Sequence, residues 1–144
     1  MRDRELNWIK KLIDSKDVRQ GNIGSCYFLT GIVSFVEQYP EQIFKLFVMK
    51  KNPSHLYGVR LFIEGKWRIF MLDASFPLGK YDTFCCAKPH YREIWVMLLE
   101  KAWAKAYGSY DAIDGGQNDE GLTAISGAPA SMLFTNQKRL IETI

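Results

Sequence analysis

The segment around Cys26 combines the residue types that a nucleophilic thiol requires. Gln20, Gly21 and Gly24 precede Cys26, and an apolar run typical of a helix follows it directly. A thiol at a helix N-terminus faces unpaired backbone N–H groups and the positive end of the helix dipole, and both favour the thiolate. The glycines let a ligand approach the backbone, and a glutamine side chain can donate to a developing oxyanion. From position alone, Cys26 could also be a small buried apolar residue, the usual fate of a free cysteine.

Hydrophobic periodicity predicts the elements that must position this segment. Helices are predicted at 5–14, at 26–36, where apolar residues recur almost all round and indicate burial, at 40 to about 48, and at 93–107. An irregular polar loop is predicted at 17–25. A β-hairpin is predicted around Glu64 and Gly65, between period-two runs at 57–63 and 67–71. A loop is expected at 115–121, before a short tail without an assignment, and the predicted class is α+β.

Composition narrows the possible functions. The 144 residues fit one domain or one large subdomain, and 47% hydrophobic content is enough for a packed core. A net charge of +3, with Lys45, Lys50 and Lys51 read as a solvated helix end, predicts no nucleic-acid partner. No signal peptide or transmembrane run is recognised. Three cysteines, of which Cys85 and Cys86 are adjacent, make no disulfide framework, so a reducing, cytoplasmic location is expected.

The Gln-Gly-x-x-Gly-x-Cys-aromatic pattern at 20–27 resembles the calpain family of papain-fold cysteine proteases. Further segments resemble that family in the same order across roughly residues 8 to 128: Asp17-Val18, the hairpin residues at 58–62, 65–67, 72–73 and 77, the helix residues at 93–95, 98–102 and 104–105, Gly108-Ser109-Tyr110, Gly115-Gly116 and Glu120-Gly121. The resemblance implies a papain-like α+β fold. Residues 1–144 would form only its first, helical protease subdomain, with a central buried helix that starts at the nucleophile and a β-hairpin.

The resemblance also implies roles for particular residues. Cys26 corresponds to the nucleophile, and Gln20 to the side-chain donor of the oxyanion hole, beside the backbone N–H of Cys26. Gly116 and Gly127 correspond to glycines that let a substrate backbone enter the cleft, although both could be ordinary loop glycines.

Calcium is the cofactor that the resemblance implies. Asp17 and Glu93 correspond to the carboxylates that the family's first protease subdomain supplies to the ion, and carboxylates are suitable hard oxygen ligands. The alternative is structural, with Asp17 as a helix N-cap and Glu93 as a charge in the first turn of a helix.

Some positions depart from the family pattern. Ser25 replaces the usual aspartate before the nucleophile, and Tyr27 replaces a tryptophan. Ala74 replaces a second aspartate, and Ala128 replaces a glycine. None of these changes removes a catalytic group, but together they indicate a divergent member.

The sequence lacks a recognisable catalytic base for Cys26. In papain-type enzymes the histidine and asparagine lie roughly 130–150 residues beyond the cysteine, which is past Ile144 here. His55 and His90 are predicted to be solvated loop residues. The expected function is therefore that of a calcium-dependent cysteine endopeptidase acting on protein substrates by limited proteolysis. A second subdomain would be its necessary partner, and the isolated chain would be inactive. The alternative is a catalytically silent module that binds protein or calcium.

Overall fold

The order of helices and strands confirms the predicted α+β class. The computed structural model describes residues 13–49, 56–79, 86–88 and 94–131. Its helices are α1 (Cys26–Gln38), α2 (Pro40–Phe44), α3 (Trp95–Tyr107) and α4 (Asn118–Ser126). Strands β1 (Phe47–Met49), β2 (Leu56–Ile63) and β3 (Lys66–Asp73) form an antiparallel sheet in the order β1-β2-β3. Short 3₁₀ turns occupy Ser15–Asp17 and Asp111–Ile113.

Helix α1 begins at Cys26, as predicted, but it is not buried all round. Tyr27, Phe28 and Ile32 face the core, whereas Cys26 and Thr30 belong to an exposed stripe of the helix. Residues four apart lie on one face of a helix. The same spacing that buries the apolar side of α1 therefore leaves the thiol open to solvent.

Helices α1 and α4 pack closely through two glycines. A Cβ atom added to Gly31 would lie 3.0 Å from the backbone nitrogen of Leu122, and one added to Gly121 would lie 3.0 Å from the Cα atom of Phe28. Backbone atoms cannot rotate away as a side chain can. The two glycines therefore allow a close contact that fixes α4 against the helix that starts at Cys26.

Gly31→Ala is expected to lower the free energy of unfolding by about 1–3 kcal/mol. Alanine favours a helix over glycine by roughly 0.5–1 kcal/mol, so a loss of stability would show that the contact with Leu122 dominates. Urea unfolding of the two proteins measures the difference, with Glu37→Ala on the exposed side of α1 as the matched control. An equal or higher stability of Gly31→Ala would contradict the close packing.

The predicted hairpin is confirmed. Eight residue pairs join β2 and β3, from Leu56↔Asp73 to Ile63↔Lys66. Glu64 and Gly65 have φ values of 51° and 79°, and a two-residue type I′ turn needs positive φ at both positions. One face of the hairpin, with Val59, Leu61 and Leu72, is buried. The other face exposes the apolar side chains of Trp67, Ile69 and Met71.

Two lysines of α3 attach the helix to β3 and the residues after it. The Nζ atom of Lys101 donates to the Asp73 carboxylate at 2.5 Å and to the carbonyl oxygens of Asp73 and Ser75. The Nζ atom of Lys105 donates to the carbonyl oxygen of Met71 at 2.7 Å. Hydrogen bonds from Lys101 and Ser75 hold the pKa of Asp73 well below its usual range. The helix and the hairpin are therefore joined by charge as well as by apolar packing.

Two predicted boundaries were wrong. The helix from Pro40 ends at Phe44 and not near Val48, because 47–49 pairs with β2 as a strand. The predicted loop at 115–121 is helical from Asn118, because Gln117 and Glu120 form a capping box that starts α4. The helix predicted at 5–14 lies almost wholly outside the described residues.

Candidate active site

The start of α1 presents Cys26 as an exposed free thiol. Ser25 is the N-cap residue by position, but its side chain makes no capping hydrogen bond, and its carbonyl oxygen accepts from the N–H groups of Phe28 and Leu29, both at 3.0 Å. The first N–H groups of a helix have no partner within it. The thiol therefore lies where the N–H groups and the helix dipole can stabilise an anion.

Gln20 and Cys26 line the same shallow cleft, which has a volume of about 210 Å³. Its other walls are Val18, Leu29, Thr30 and Val33. The Nε2 atom of Gln20 donates to the carbonyl oxygen of Ile23 at 3.2 Å, and an amide nitrogen carries a second N–H. The structure thus brings the two predicted catalytic residues together, in a cleft whose remaining surface is mainly apolar.

Two connections hold the loop before Cys26. The N–H group of Gly24 donates to the Asp114 carboxylate at 2.7 Å, and the carbonyl oxygen of Gly24 accepts from the N–H group of Gly115 at 2.9 Å. At the other end of the loop, the carbonyl oxygen of Arg19 accepts from the N–H group of Lys88 at 2.8 Å. Asp114 was not predicted as part of the site. The loop is therefore fixed at both ends by residues distant in sequence.

A third connection passes through a buried acid of α3. The Ser25 hydroxyl donates to Oε1 of Glu100 at 2.5 Å, and the N–H group of Ala87 donates to Oε2 at 2.6 Å. Ser25 and Glu100 are both 0% exposed. Burial raises the pKa of Glu100 above its ordinary value of 4.5, although the two hydrogen bonds oppose that change.

The raised pKa of Glu100 predicts a pH-dependent stability. Because the folded state binds the proton more tightly than the unfolded state, this contribution is complete below about pH 4.5 and is lost as the pH rises through the folded pKa. The unfolding free energy of the native protein, minus that of Glu100→Gln, should therefore fall with rising pH. The fall should be about 1.4 kcal/mol for each pH unit that separates the unfolded from the folded pKa. Urea titrations of both proteins at several pH values measure it, and a difference independent of pH would contradict a raised pKa.

Tyr27, the residue after Cys26, connects the start of α1 to the segment 113–116. Its hydroxyl accepts from Nε1 of Trp103 at 2.9 Å and donates to the carbonyl oxygen of Ile113 at 3.2 Å. Burial raises the pKa of Tyr27, which keeps the phenol neutral and able to donate. A Cβ atom at Gly116 would lie 2.5 Å from the Tyr27 ring. Gly116 therefore follows Gly115, which donates to the carbonyl oxygen of Gly24. It also packs directly against the ring of Tyr27, the residue after Cys26.

Gly127 lies elsewhere. It ends α4 with φ 71°, and a Cβ atom there would lie 2.6 Å from the Trp67 ring on the hairpin. Its observed role is that of a left-handed C-cap, for which glycine is the usual residue. Contact of Gly116 or Gly127 with a substrate stays a prediction.

One of the two predicted calcium ligands can be placed. Asp17 is 8% exposed and follows the N-cap Asp14, whose N–H group donates to Oδ2 of Asp17 at 3.2 Å. Glu93 lies outside the described residues, as do His55 and His90. Within the described parts of the chain, no three acidic, histidine or cysteine side chains gather as candidate metal ligands. Asp17 alone is not a calcium site, because the ion takes six to eight oxygen ligands.

Comparison with known proteins identifies the family to which the chain belongs. A model of the calpain family of cysteine proteases matches residues 2–144. The chain is 34% identical over 119 residues to calpain-type cysteine protease DEK1 of Zea mays, covering 80% of this chain and 5% of that protein. It is 30% identical over 140 residues to Calpain-12 of Homo sapiens, covering 94% and 19%, and 29% identical over 119 residues to Calpain-A of Drosophila melanogaster, covering 77% and 14%.

The chain belongs to the calpain family of cysteine proteases. Its mixed helices and antiparallel sheet are consistent with the calpain protease core, which has a papain-like fold. The chain spans between 5% and 19% of the length of the three relatives above. Among the described residues, no helix is long and apolar enough to cross a membrane.

Proposed function

We propose that this chain is the nucleophile-bearing part of a cysteine endopeptidase that cleaves protein substrates. The observation that carries the proposal is the exposed thiol of Cys26 at the N-terminus of a helix, in one cleft with Gln20. Family membership and the absence of a side-chain cap at Ser25 support it. The exposed free thiol of Cys26 supports a reducing, cytoplasmic location.

The reaction follows from the groups in the cleft. The Cys26 thiolate attacks the peptide carbonyl carbon, and the carbonyl electron pair moves to the oxygen. The second N–H of the Gln20 amide and the backbone N–H of Cys26 stabilise that oxyanion. The C–N bond then breaks as the amine leaves with a proton, and water hydrolyses the thioester to the free acid and Cys26.

The proton needs a base that the described residues do not provide. We place an imidazole and its orienting asparagine in a second subdomain encoded beyond residue 144, which would meet this one at the cleft. A general acid–base group typically contributes about 10²–10⁴-fold to a rate. Nucleophile and base also act as a unit, so the 144 residues alone are expected to show no measurable peptide turnover.

Calcium is proposed as a regulatory ion held by Asp17 and Glu93, with the remaining ligands outside the described residues. It would align the two halves of the active site without entering the reaction. Asp17 starts the segment that leads to Gln20, which supports such a role. Calorimetric titration of the full-length protein should detect calcium binding, and Asp17→Asn should weaken it by at least about tenfold. Unchanged affinity in Asp17→Asn would remove Asp17 from the site.

The full-length protein provides the test of the proposed activity. It should cleave a denatured protein substrate, and an active-site-directed epoxide should stop cleavage by modifying Cys26 alone, identified by peptide mass spectrometry. Modification of Cys26 without any cleavage would instead support the silent, partner-binding module. Failure of both cleavage and modification would overturn the proposal.

A further inference from the structure

Glu100 of α3 occupies a position where a carboxyl group is costly. It is completely buried beneath the start of α1, and both of its oxygens accept hydrogen bonds. An apolar side chain would avoid the desolvation cost of a buried carboxyl group. The two bonds reach across 75 and 13 residues of sequence, so this one carboxyl group joins three separate segments of the chain.

Two of those segments are connected to the ends of the loop that precedes Cys26. Ser25, bound to Oε1, immediately precedes Cys26. Ala87, bound to Oε2, precedes Lys88, whose N–H group holds the carbonyl oxygen of Arg19, the residue before Gln20. Glu100 therefore fixes the backbone next to Cys26 through Ser25 and the backbone next to Gln20 through Ala87 and Lys88. Both connections set the distance between the thiol and the Gln20 amide.

The hydrogen bond from Ser25 has a second consequence. A serine at an N-cap normally turns its hydroxyl oxygen toward the N–H groups of the first turn. Here the hydroxyl is engaged by Glu100, and α1 has no side-chain cap. If Glu100 were removed, the Ser25 hydroxyl would be able to cover the helix terminus that the Cys26 thiolate needs.

We propose that Glu100 is a positioning residue for the peptidase reaction, which holds Ser25 away from the helix terminus and fixes Gln20 opposite Cys26. This inference rests on the proposed function. Misplacing a reacting group by about 1 Å can cost about 10²-fold in rate, and losing one oxyanion donor costs about 10²–10³-fold. Loss of the Glu100 bonds is therefore expected to lower kcat by about 10²-fold and to change KM little.

The test compares Glu100→Ala with Glu100→Gln in the full-length protein. Glutamine can accept from the Ala87 N–H group through its oxygen and donate to the Ser25 oxygen through its nitrogen, so it preserves both connections. Rates are divided by the concentration of active sites titrated with an irreversible inhibitor, which removes the effect of any unfolded fraction. Glu100→Gln should keep kcat within about threefold of native, and Glu37→Gln, an exposed acid of α1, is the control for the chemical change.

A second readout does not depend on peptide turnover. Iodoacetamide labels Cys26 in a tryptic peptide different from that of Cys85 and Cys86. Glu100→Ala should label Cys26 more slowly than native at about pH 6, and Glu100→Gln should label it at nearly the native rate. A purely structural role would instead raise the labelling of Cys86, which is 1% exposed in the folded protein.

The outcomes separate the inference from the proposed function. If the native protein cleaves no substrate, the proposed peptidase function is wrong. The Cys26 labelling rates of the variants relative to native then still test the role of Glu100. The inference would be overturned if Glu100→Ala kept the native kcat and the native labelling rate. It would also be overturned if Glu100→Gln lowered kcat as much as Glu100→Ala does, because the effect would then come from the loss of charge. If Glu100→Ala does not fold, Ser25→Ala carries the test. It deletes one of the two bonds and should lower kcat at least about tenfold, and an unchanged kcat would overturn the inference.

Discussion

Replacement of Cys26 by alanine is expected to abolish peptide hydrolysis by the full-length protein, with kcat at least about 10⁴-fold below native. The substitution removes the atom that forms the covalent bond, and no other thiol of the described residues lines the cleft. The cleft keeps its oxyanion donors, so the remaining rate measures binding and polarisation alone. Initial rates on a quenched peptide substrate provide the measurement.

The control for Cys26→Ala removes a thiol elsewhere. Cys86→Ala deletes a buried thiol that does not line the Cys26 cleft, and it should keep nearly native kcat. The thermal transition of Cys26→Ala should stay close to native, because exposed side chains contribute little to stability. Turnover by Cys26→Ala within about tenfold of native would show that another residue carries the chemistry.

The sequence was sufficient to predict the parts of the site that are contiguous in the chain. Gln20, Gly24 and Cys26 lie within seven residues, so their spacing and the apolar run after Cys26 indicated a loop that ends at a helix. The structure confirms that α1 begins at Cys26 and that Gln20 shares its cleft. The chemistry of Cys26 stays a prediction, and so do the roles of Asp17 and Glu93.

The connections across the chain were not predicted, because no local pattern encodes them. Glu100 gave a weak signal: it is a charged residue of α3 with apolar Val96, Met97, Trp103 and Ala104 three and four residues away on both sides. Such a position lies on the buried face of a helix. The sequence could have indicated that Glu100 is buried, but not that Ser25 and Ala87 would bind it.

The two wrong boundaries have different physical origins. The segment 47–49 is short and apolar, and its strand form depends on pairing with β2, which lies beyond it in the chain. Gly121 is unfavourable in a helix by itself, and it is accepted in α4 because it allows the backbone of α1 to approach. Tertiary pairing therefore outweighs local preference at 47–49. The start of α4 was locally encoded in the capping box of Gln117 and Glu120, and the packing of Gly121 explains why a glycine is accepted inside the helix.

Trp103→Ala is expected to cause the largest loss of stability among single substitutions near the site, about 3–5 kcal/mol in the free energy of unfolding. Trp103 is 1% exposed, and its ring stacks on Phe28 with centroids 4.8 Å apart and planes at 8°. It also makes a T-shaped contact with Tyr107, with ring centroids 4.7 Å apart. The truncation would leave a cavity between α1 and α3 and would remove the N–H donor to Tyr27. A chain of this size should then melt about 10 °C lower.

Trp103→Phe separates packing from hydrogen bonding. It keeps a ring against Phe28 but removes the N–H that donates to the Tyr27 hydroxyl, and it should cost about 1–3 kcal/mol, since the buried oxygen loses one partner. Scanning calorimetry of the native protein and both variants gives the comparison. If Trp103→Ala and Trp103→Phe were equally destabilised, the hydrogen bond would outweigh the packing. If both stayed within about 1 kcal/mol of native, α1 would be held to α3 by contacts other than Trp103.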